Sequence, residues 1–490
     1  MKDFREKTLL GASWKVIGQI VSQAIQFAIA VILAHLLAPR DFGLAAMVMI
    51  LTNFGSIIAS FGRAAVIQKA EVSQELLTSM FWLNVAIGML LTALLAASSP
   101  MVAAVYKEPQ LLWLTIAFSS TFIINSLNIT QNALLQREID FRTFAIMDIT
   151  TEVVAGGCCV IAAKMGCGAW SLVLQSVLTS FLRTVILWTQ SPWRPDGRFQ
   201  WRAVRVILDF SIHAFLADAM QYWVRNVDNL LVGLFLGSGP LGIYTRAYAV
   251  MLVPINRVAR VLSDVMFASF SRIQDKREYV RRVFLKMTRV VALVTFPMML
   301  GVMAVARHFV HTLFGPQWSA MVPVLEVLCV IGLIQSVMMF MRNIYLTQGK
   351  ASLYLRVEFP LQLLQILGIV IGLKWGIMGV AIGYAAASIL VSYPSLYFAG
   401  RMIGLGTGEY VRNLFGVLGC AAAMAISLRG LVYVLPQGIS SPAALAAEVF
   451  LGVLIYCGLL HVLRIEAYED VKTEVLKKLL PASSAARAAA

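Results

Sequence analysis

Inside stretches that are otherwise apolar, this 490-residue chain carries charged and amide side chains at helical spacing. Lys15, Gln19, Ser22 and Gln26 stand at i, i+4, i+7 and i+11; Asn53, Ser56, Ser60 and Arg63 form a second stripe, and Thr121, Asn125, Asn128 and Asn132 a third. Asp218, Tyr222, Arg225 and Asn229 share a face, with Asp228 beside them, and Arg246, Arg257, Arg260 and Asp264 read as one face of the next run. A guanidinium forks onto phosphate through two hydrogen bonds and keeps its charge when desolvated. Arg225, Arg257, Arg63, Arg260 and Arg246 are therefore expected to meet an anionic group, in a polar cavity lined by Lys15, Gln19, Gln26, Asn53, Ser56, Ser60, Asn125, Asn128, Tyr222 and Asn229. Asp218, Asp228, Glu152 and Asp264 are carboxylates able to carry a coupling proton or cation, or to act as fixed counter-charges. The competing reading makes the same groups interhelical glue, with Asn and Ser bonding between helices. Glu326 and Glu358 carry the same ambiguity. His308 and His311 have ligand-like spacing but no third ligand, and read as packing at a helix end.

The elements that hold these stripes follow from composition. The chain is 59% hydrophobic and 13% charged, about half the ~25% charged content of soluble domains. Apolar runs long enough to span a bilayer (~20 residues) fall near 11–37, 42–68, 76–104, 110–135, 144–163, 168–190, 204–236, 240–268, 284–313, 320–347, 352–373, 377–399, 410–435 and 443–463. Spans in lipid must satisfy their own backbone, which here means helices. The composition excludes a soluble enzyme, a disordered scaffold and a large extramembrane domain. The six cysteines match neither a metal motif nor a disulfide framework, and no cleavable signal peptide is expected. No P-loop, catalytic triad or Gly-rich dinucleotide loop is present, so no cofactor is expected and the energy source is an ion or substrate gradient.

The net charge of +15 mainly sets orientation. With the N-terminus inside, about 25 basic residues fall in cytoplasmic joints and ends against roughly four outside (Arg40, Lys107, Lys164, Lys374). Fourteen spans with both termini cytoplasmic fit that asymmetry. An internal repeat is also legible: the segment Leu36–Leu44 resembles Leu236–Ile243, Asn132–Gln136 resembles Asn343–Gln348, and Lys164–Gly166 resembles Lys374–Gly376. The expected architecture is an all-α integral membrane protein of 14 transmembrane helices. Two six-helix lobes, 1–190 and 204–400, would be related by a pseudo-twofold along the membrane normal and joined by a cytoplasmic linker, 191–203. Helices 13 and 14 would occupy 401–464, and a cytoplasmic tail 465–490.

Four segments carry a family resemblance: Arg5–Thr8 leading into Gly11–Trp14, Leu135–Phe141, Ser271–Asp275, and Phe314–Trp318 with Pro323–Leu325. Through them the chain resembles the Wzx-type flippases, the polysaccharide branch of the multidrug/oligosaccharidyl-lipid/polysaccharide (MOP) exporter superfamily, most nearly exporters of colanic acid and succinoglycan type. The resemblance implies a bacterial inner-membrane transporter, not an enzyme. Its substrate would be an undecaprenyl-pyrophosphate-linked oligosaccharide, flipped to the periplasmic leaflet by alternating access and passed to a polymerase or co-polymerase of the same pathway. The anion on the cavity arginines would then be the pyrophosphate. Two alternatives stand beside it: a MATE-like drug/cation antiporter, which would need an acidic or aromatic cavity, and a non-transporting scaffold of a synthesis complex, which has no use for polar stripes. Nucleic acid is not an expected partner.

Overall fold

The structure is a computed structural model; it describes residues 2–63, 66, 72–138, 141–197, 199–270, 277–432, 441–466, 468–469 and 472. Side chains of residues 2–17 and of scattered helical positions, Asp264 among them, lie outside that description, which removes Lys15 and Asp264 from the site as described. Most of the expected tail 465–490 is likewise outside it.

The described residues form helices and no strand. In chain order they are α1 Lys2–Leu36, α2 Pro39–Ala59, α3 Gln74–Tyr106, α4 Leu111–Ser126, α5 Ile129–Glu138, α6 Phe141–Lys164, α7 Ala169–Gln190, α8 Trp201–Leu236 and α9 Ser238–Pro254. A π turn, Ile255–Ala259, leads into α10 Arg260–Phe270. There follow α11 Arg277–Ala304, α12 Ala306–Leu313, α13 Met321–Met338, α14 Met341–Thr347, α15 Ala351–Gly372, α16 Gly376–Met402, α17 Thr407–Val432 and α18 Ser441–Val462. The chain divides into two compact units, 1–242 and 243–490, the boundary falling inside α9.

Local chemistry sets the helix ends. Pro39 opens α2, where its missing N–H costs nothing, and Asp41 Oδ2 accepts the Ala38 N–H at 3.0 Å. The Ser73 hydroxyl accepts the Leu76 N–H at the start of α3, and Lys107 closes that helix in the left-handed region. In the first unit α3 packs on α4, α1 on α6, α6 on α7, and α2 on both α4 and α8. In the second, α15 packs on α16, α11 on α13 and α17, and α17 on α18, around a core holding Phe284, Phe340, Tyr345 and Tyr410. Outward, Ile426, Phe450, Leu390 and Trp113 are exposed. Large apolar side chains left exposed in this way are unfavourable in water and suit a lipid-facing surface.

Among the described residues, ten helical stretches are long and apolar enough to cross a membrane, or eleven counting the pair 111–126 and 129–137, bent by 47°. The chain is a multi-pass membrane protein. The sequence expectation was fourteen, and the shortfall has physical sources. Charged and amide residues dilute the apolarity of α8, the π turn cuts 238–270 into short pieces, and the continuous stretch 352–402 contains both α15 and α16.

The repeat noted in the sequence has matching local structure. Each unit contains a helix followed at once by a short one, α4–α5 and α13–α14, at the Asn132 and Asn343 motifs. Gly166 and Gly376, at the ends of the third pair of motifs, both hold positive φ, 81° and 70°. The first pair meets itself. A Cβ on Gly43 would lie 1.7 Å from the Ser238 carbonyl oxygen, and one on Gly242 would lie 1.8 Å from the Pro39 carbonyl oxygen. Position 39 corresponds to 238 and 43 to 242 in the repeat, so the contact is reciprocal, as a local twofold requires.

Candidate functional site

The polar face of α8 is held against α2. The Tyr222 hydroxyl donates to the Ile50 carbonyl at 2.6 Å, and Phe54 packs on Tyr222 and Trp223 with centroids 5.9 and 5.0 Å apart. Because α8 is one continuous helix, Asp218 and Arg225 stand one turn on either side of Tyr222, both exposed. Asp228 is buried and accepts the Asn229 N–H on Oδ1 at 2.8 Å. The Asn229 Oδ1 is buried without a hydrogen bond among the described residues, which leaves an acceptor beside the arginine face.

On α2, Asn53 is exposed, while Ser56 and Ser60 donate to the carbonyls of Thr52 and Ile57 on their own helix, at 2.9 and 3.0 Å. Arg63 comes just after the turn 60–62 that ends α2, and its side chain is exposed. Gln19 is exposed and Asn125 half-buried. Other stripe residues bind helix to helix. Gln26 donates to Glu152 at 2.8 Å between α1 and α6, and Asn128 donates to Thr184 at 2.7 Å in a buried position. Asp148 pairs with Arg183 at 2.8 Å. These bonds are the glue expected of amides and acids in spans.

In the second unit the helical face expected to unite Arg246 with Arg257, Arg260 and Asp264 is interrupted. Pro254 has no N–H for the preceding turn, and the next turn widens, with the Arg260 N–H reaching back five residues to the Ile255 carbonyl. One inserted residue rotates everything after it by about 100°. The single-face expectation is therefore corrected. Arg246 is half-buried on one stripe, and Arg257 and Arg260 are exposed on another. Asn256, within the π turn, has a buried Oδ1 without a partner among the described residues. Single-turn π bulges gather at functional sites, and here one carries Arg257. The following helix is anchored by Asn343, whose amide donates to both the carbonyl and the hydroxyl of Ser263 at 2.9 Å.

A three-way clasp was not foreseen in the sequence. Glu108, in the α3–α4 joint, accepts Arg40 Nη2 on one oxygen at 2.7 Å and the Ser238 hydroxyl on the other at 2.6 Å. It ties the starts of α2 and α9 beside the reciprocal glycine contact. Burial alone would raise the Glu108 carboxyl, but the hydrogen bonds from Arg40 and Ser238 and the guanidinium charge outweigh it and hold it below the usual carboxylate range. The sequence signal was slight: an acid next to Lys107 in one joint, and Arg40 next to Asp41 in another. A carboxylate with a depressed folded value stabilises above its unfolded value, near ~4.3. That contribution is lost as pH falls through the folded value. Arg40 is 58% exposed, so the effect is modest, about 1 kcal/mol. Glu108→Gln is expected to lower thermal stability at pH 7 and to flatten its acid limb between about pH 5 and 3. Unfolding curves in detergent at several pH values would show this, and curves that coincide at every pH would refute it.

Elsewhere in the second unit the charged groups pair for structure. Arg429 bonds Glu326 at 2.6 Å, Arg281 bonds Glu409, and Arg289 bonds Glu466 and Asn413. The Ser395 hydroxyl donates to Glu358 at 2.6 Å. Between α15 and α16 runs an apolar groove of about 590 Å³. Gly368 faces Gly383 across it and Gly372 faces Gly379, their backbones in close approach.

The fold is one found in solved membrane transporters. It matches the inward closed conformation of the lipid II flippase MurJ with a TM-score of 0.72 over 93% of this chain and 99% of that one, at 13% identity. It also matches an inward-facing MATE-family multidrug transporter at a TM-score of 0.56, covering 78% and 94% of the two chains, again at 13% identity. Within that class, residues 32–323 match the family described as polysaccharide biosynthesis protein, and the chain belongs to it. It is 27% identical to the teichuronic acid biosynthesis protein TuaB of Bacillus subtilis (strain 168), over 98% of this chain and 99% of the relative. It is 28% identical to the lipopolysaccharide biosynthesis protein WzxC of Escherichia coli (strain K12), over 84% and 85%. Identity to the succinoglycan biosynthesis transport protein ExoT of Rhizobium meliloti (strain 1021) is 26%, over 64% of each chain.

Proposed function

We propose that this protein flips an undecaprenyl-pyrophosphate-linked oligosaccharide from the cytoplasmic to the periplasmic leaflet of a bacterial inner membrane, for exopolysaccharide or lipopolysaccharide synthesis. The observation that carries the reading is that Arg225 and Arg257 present exposed side chains from segments whose sequence reads as spans, in a member of the polysaccharide-biosynthesis family. An ionisable group in hydrocarbon is costly and faces an interior or a wet cavity. A guanidinium there suits a diphosphate and repels the organic cation of a drug antiporter. The sugars lie against the amide and hydroxyl stripes, and the prenyl tail stays in lipid.

In this reading the chain makes fourteen spans with both ends cytoplasmic. Its lobes are 1–190 and 204–400, with the linker 191–203 between them, two further helices in 401–464 and a cytoplasmic tail 465–490. The reciprocal Gly43 and Gly242 contacts support a twofold relation between repeats, and alternating access is the motion such a repeat serves. The protein is a secondary transporter, with no chemistry performed on the substrate. It hands the flipped unit to a polymerase or co-polymerase of the pathway. Deleting the gene and labelling lipid-linked repeat units by leaflet tests the reading. Accumulation on the cytoplasmic side with loss of polymer is expected; unchanged polymer and no accumulation would refute it.

A further inference from the structure

One carboxylate in the second unit is set apart from the rest. Glu448, on α18, is fully buried. Its Oε1 lies 2.8 Å from Nδ1 of His308, on α12, and its Oε2 is buried without a hydrogen bond among the described residues. Glu326 offers the contrast, because its partner is Arg429, a cation at every accessible pH. Glu448 is instead paired with the one side chain whose charge changes near neutrality.

Among the described residues, the neighbours do not supply a fixed counter-charge. On α17, Arg429 is committed to Glu326, while Glu409 and Arg412 stand near the opposite end of that helix. On α11, the basic group nearest in sequence to α12 is Arg289, about 22 Å along the helix and bonded to Glu466 and Asn413. On α12 itself, Arg307 is exposed and His311 Nε2 lies 3.0 Å from the Ser319 hydroxyl. The other titratable groups near the pair among the described residues are Cys329 on α13 and Cys420, Tyr456 and Cys457 on α17 and α18, and the Tyr456 hydroxyl donates to the Leu293 carbonyl.

We propose that the His308–Glu448 pair is a proton-binding site that couples the transport cycle to a proton gradient. Loaded, the pair is neutral: the proton sits on Glu448 and is accepted by His308, or on the imidazole facing a carboxylate. Unloaded, it holds a net negative charge with Oε2 unpartnered, a state too costly to keep buried. Release therefore waits for a conformation in which water reaches Oε2. The His308 side chain is 27% exposed while Glu448 is closed off, so the proton enters by way of the imidazole. By the charge-based orientation, the joints that flank α12 and α18 at this end face the periplasm, the side from which protons flow inward. The coupling role rests on the flippase reading; the binding of the proton does not.

Two measurements on the full chain separate them. The first titrates detergent-purified protein from about pH 9 to 5 with an indicator dye. Wild type is expected to bind about one proton more than the double variant His308→Gln/Glu448→Gln, in which neither group can take it up; equal counts overturn the site whatever the protein transports. The second reconstitutes the chain with a fluorescent undecaprenyl-pyrophosphate-linked oligosaccharide and compares flipping with and without a gradient of one pH unit. One proton per cycle gives a ratio of up to roughly tenfold. The ratio is expected to fall to about one in Glu448→Gln and in His308→Gln, and to persist in Glu326→Gln. A wild-type ratio of one, or a full ratio in both pair variants, overturns the coupling. Wild type that binds the extra proton but flips nothing overturns the flippase reading and leaves the proton site standing.

Discussion

Gly43→Ala is expected to cost about 3 kcal/mol or more and to deplete the folded protein in the membrane. The added Cβ would fall 1.7 Å from the Ser238 carbonyl oxygen, with the Ser238 Cα at 2.9 Å. This is backbone, and it cannot rotate away as a side chain would. The mirror position is as tight, since Gly242→Ala meets the Pro39 carbonyl at 1.8 Å and the Gly43 nitrogen at 3.0 Å. Neither glycine has a positive φ, so the effect is steric and owes nothing to backbone strain. Overpacking a close contact costs roughly 1–3 kcal/mol when side chains can adjust, and more when they cannot. Here the Glu108 clasp also fixes the two helix starts. Gly157→Ala and Gly419→Ala are controls: both lie in helices with nothing within 4 Å of the new methyl. They should be neutral or slightly stabilising, by up to about 1 kcal/mol. Thermal unfolding of detergent-purified variants, with membrane abundance, decides the matter. Gly43→Ala melting with wild type would mean the two motifs can part without loss.

That contact marks how far a sequence can be read. The spans were legible because lipid leaves the backbone one solution, so ~20 apolar residues suffice to define each. The repeat was legible through its turn residues, and Gly166 and Gly376 repay it with matching positive φ. The polar face of α8 was legible because nothing breaks the helix from Trp201 to Leu236. The face from Arg246 onward was misread, since counting in steps of 3.6 presumes an uninterrupted α-helix and a π turn slips one residue without changing composition. Pro254 was its one visible warning. Partners far apart in the chain were not legible either. Glu108 meets Ser238 across 130 residues, and Glu448 meets His308 across 140. Local spacing, which made His308 a packing residue, carries no information about either.

The second large effect concerns the arginines. Arg225→Ala and Arg257→Ala are each expected to reduce export by roughly 10- to 100-fold, from the ~1.5–3 kcal/mol of a hydrogen bond to a charged group. Arg63, Arg260 and Arg246 are alternative bearers of the same role. Arg225 projects from the stripe pinned by Tyr222, and Arg257 from the π turn beside the unpartnered Asn256. Both side chains are exposed, so neither truncation opens a core cavity and both variants should fold. Lysine distinguishes charge from shape. It keeps the cation but loses the planar fork, so a diphosphate held bidentately should be flipped more slowly by Arg257→Lys than by wild type, yet faster than by Arg257→Ala. Glue predicts another order, in which the loss tracks melting temperature and substrate concentration has no influence. Flipping rate against substrate concentration in proteoliposomes tells these apart: an anion site raises the concentration needed for half-maximal rate. If both alanine variants flip at wild-type rate and concentration dependence, neither arginine holds the pyrophosphate, and the site must be sought on Arg63, Arg246 or Arg260.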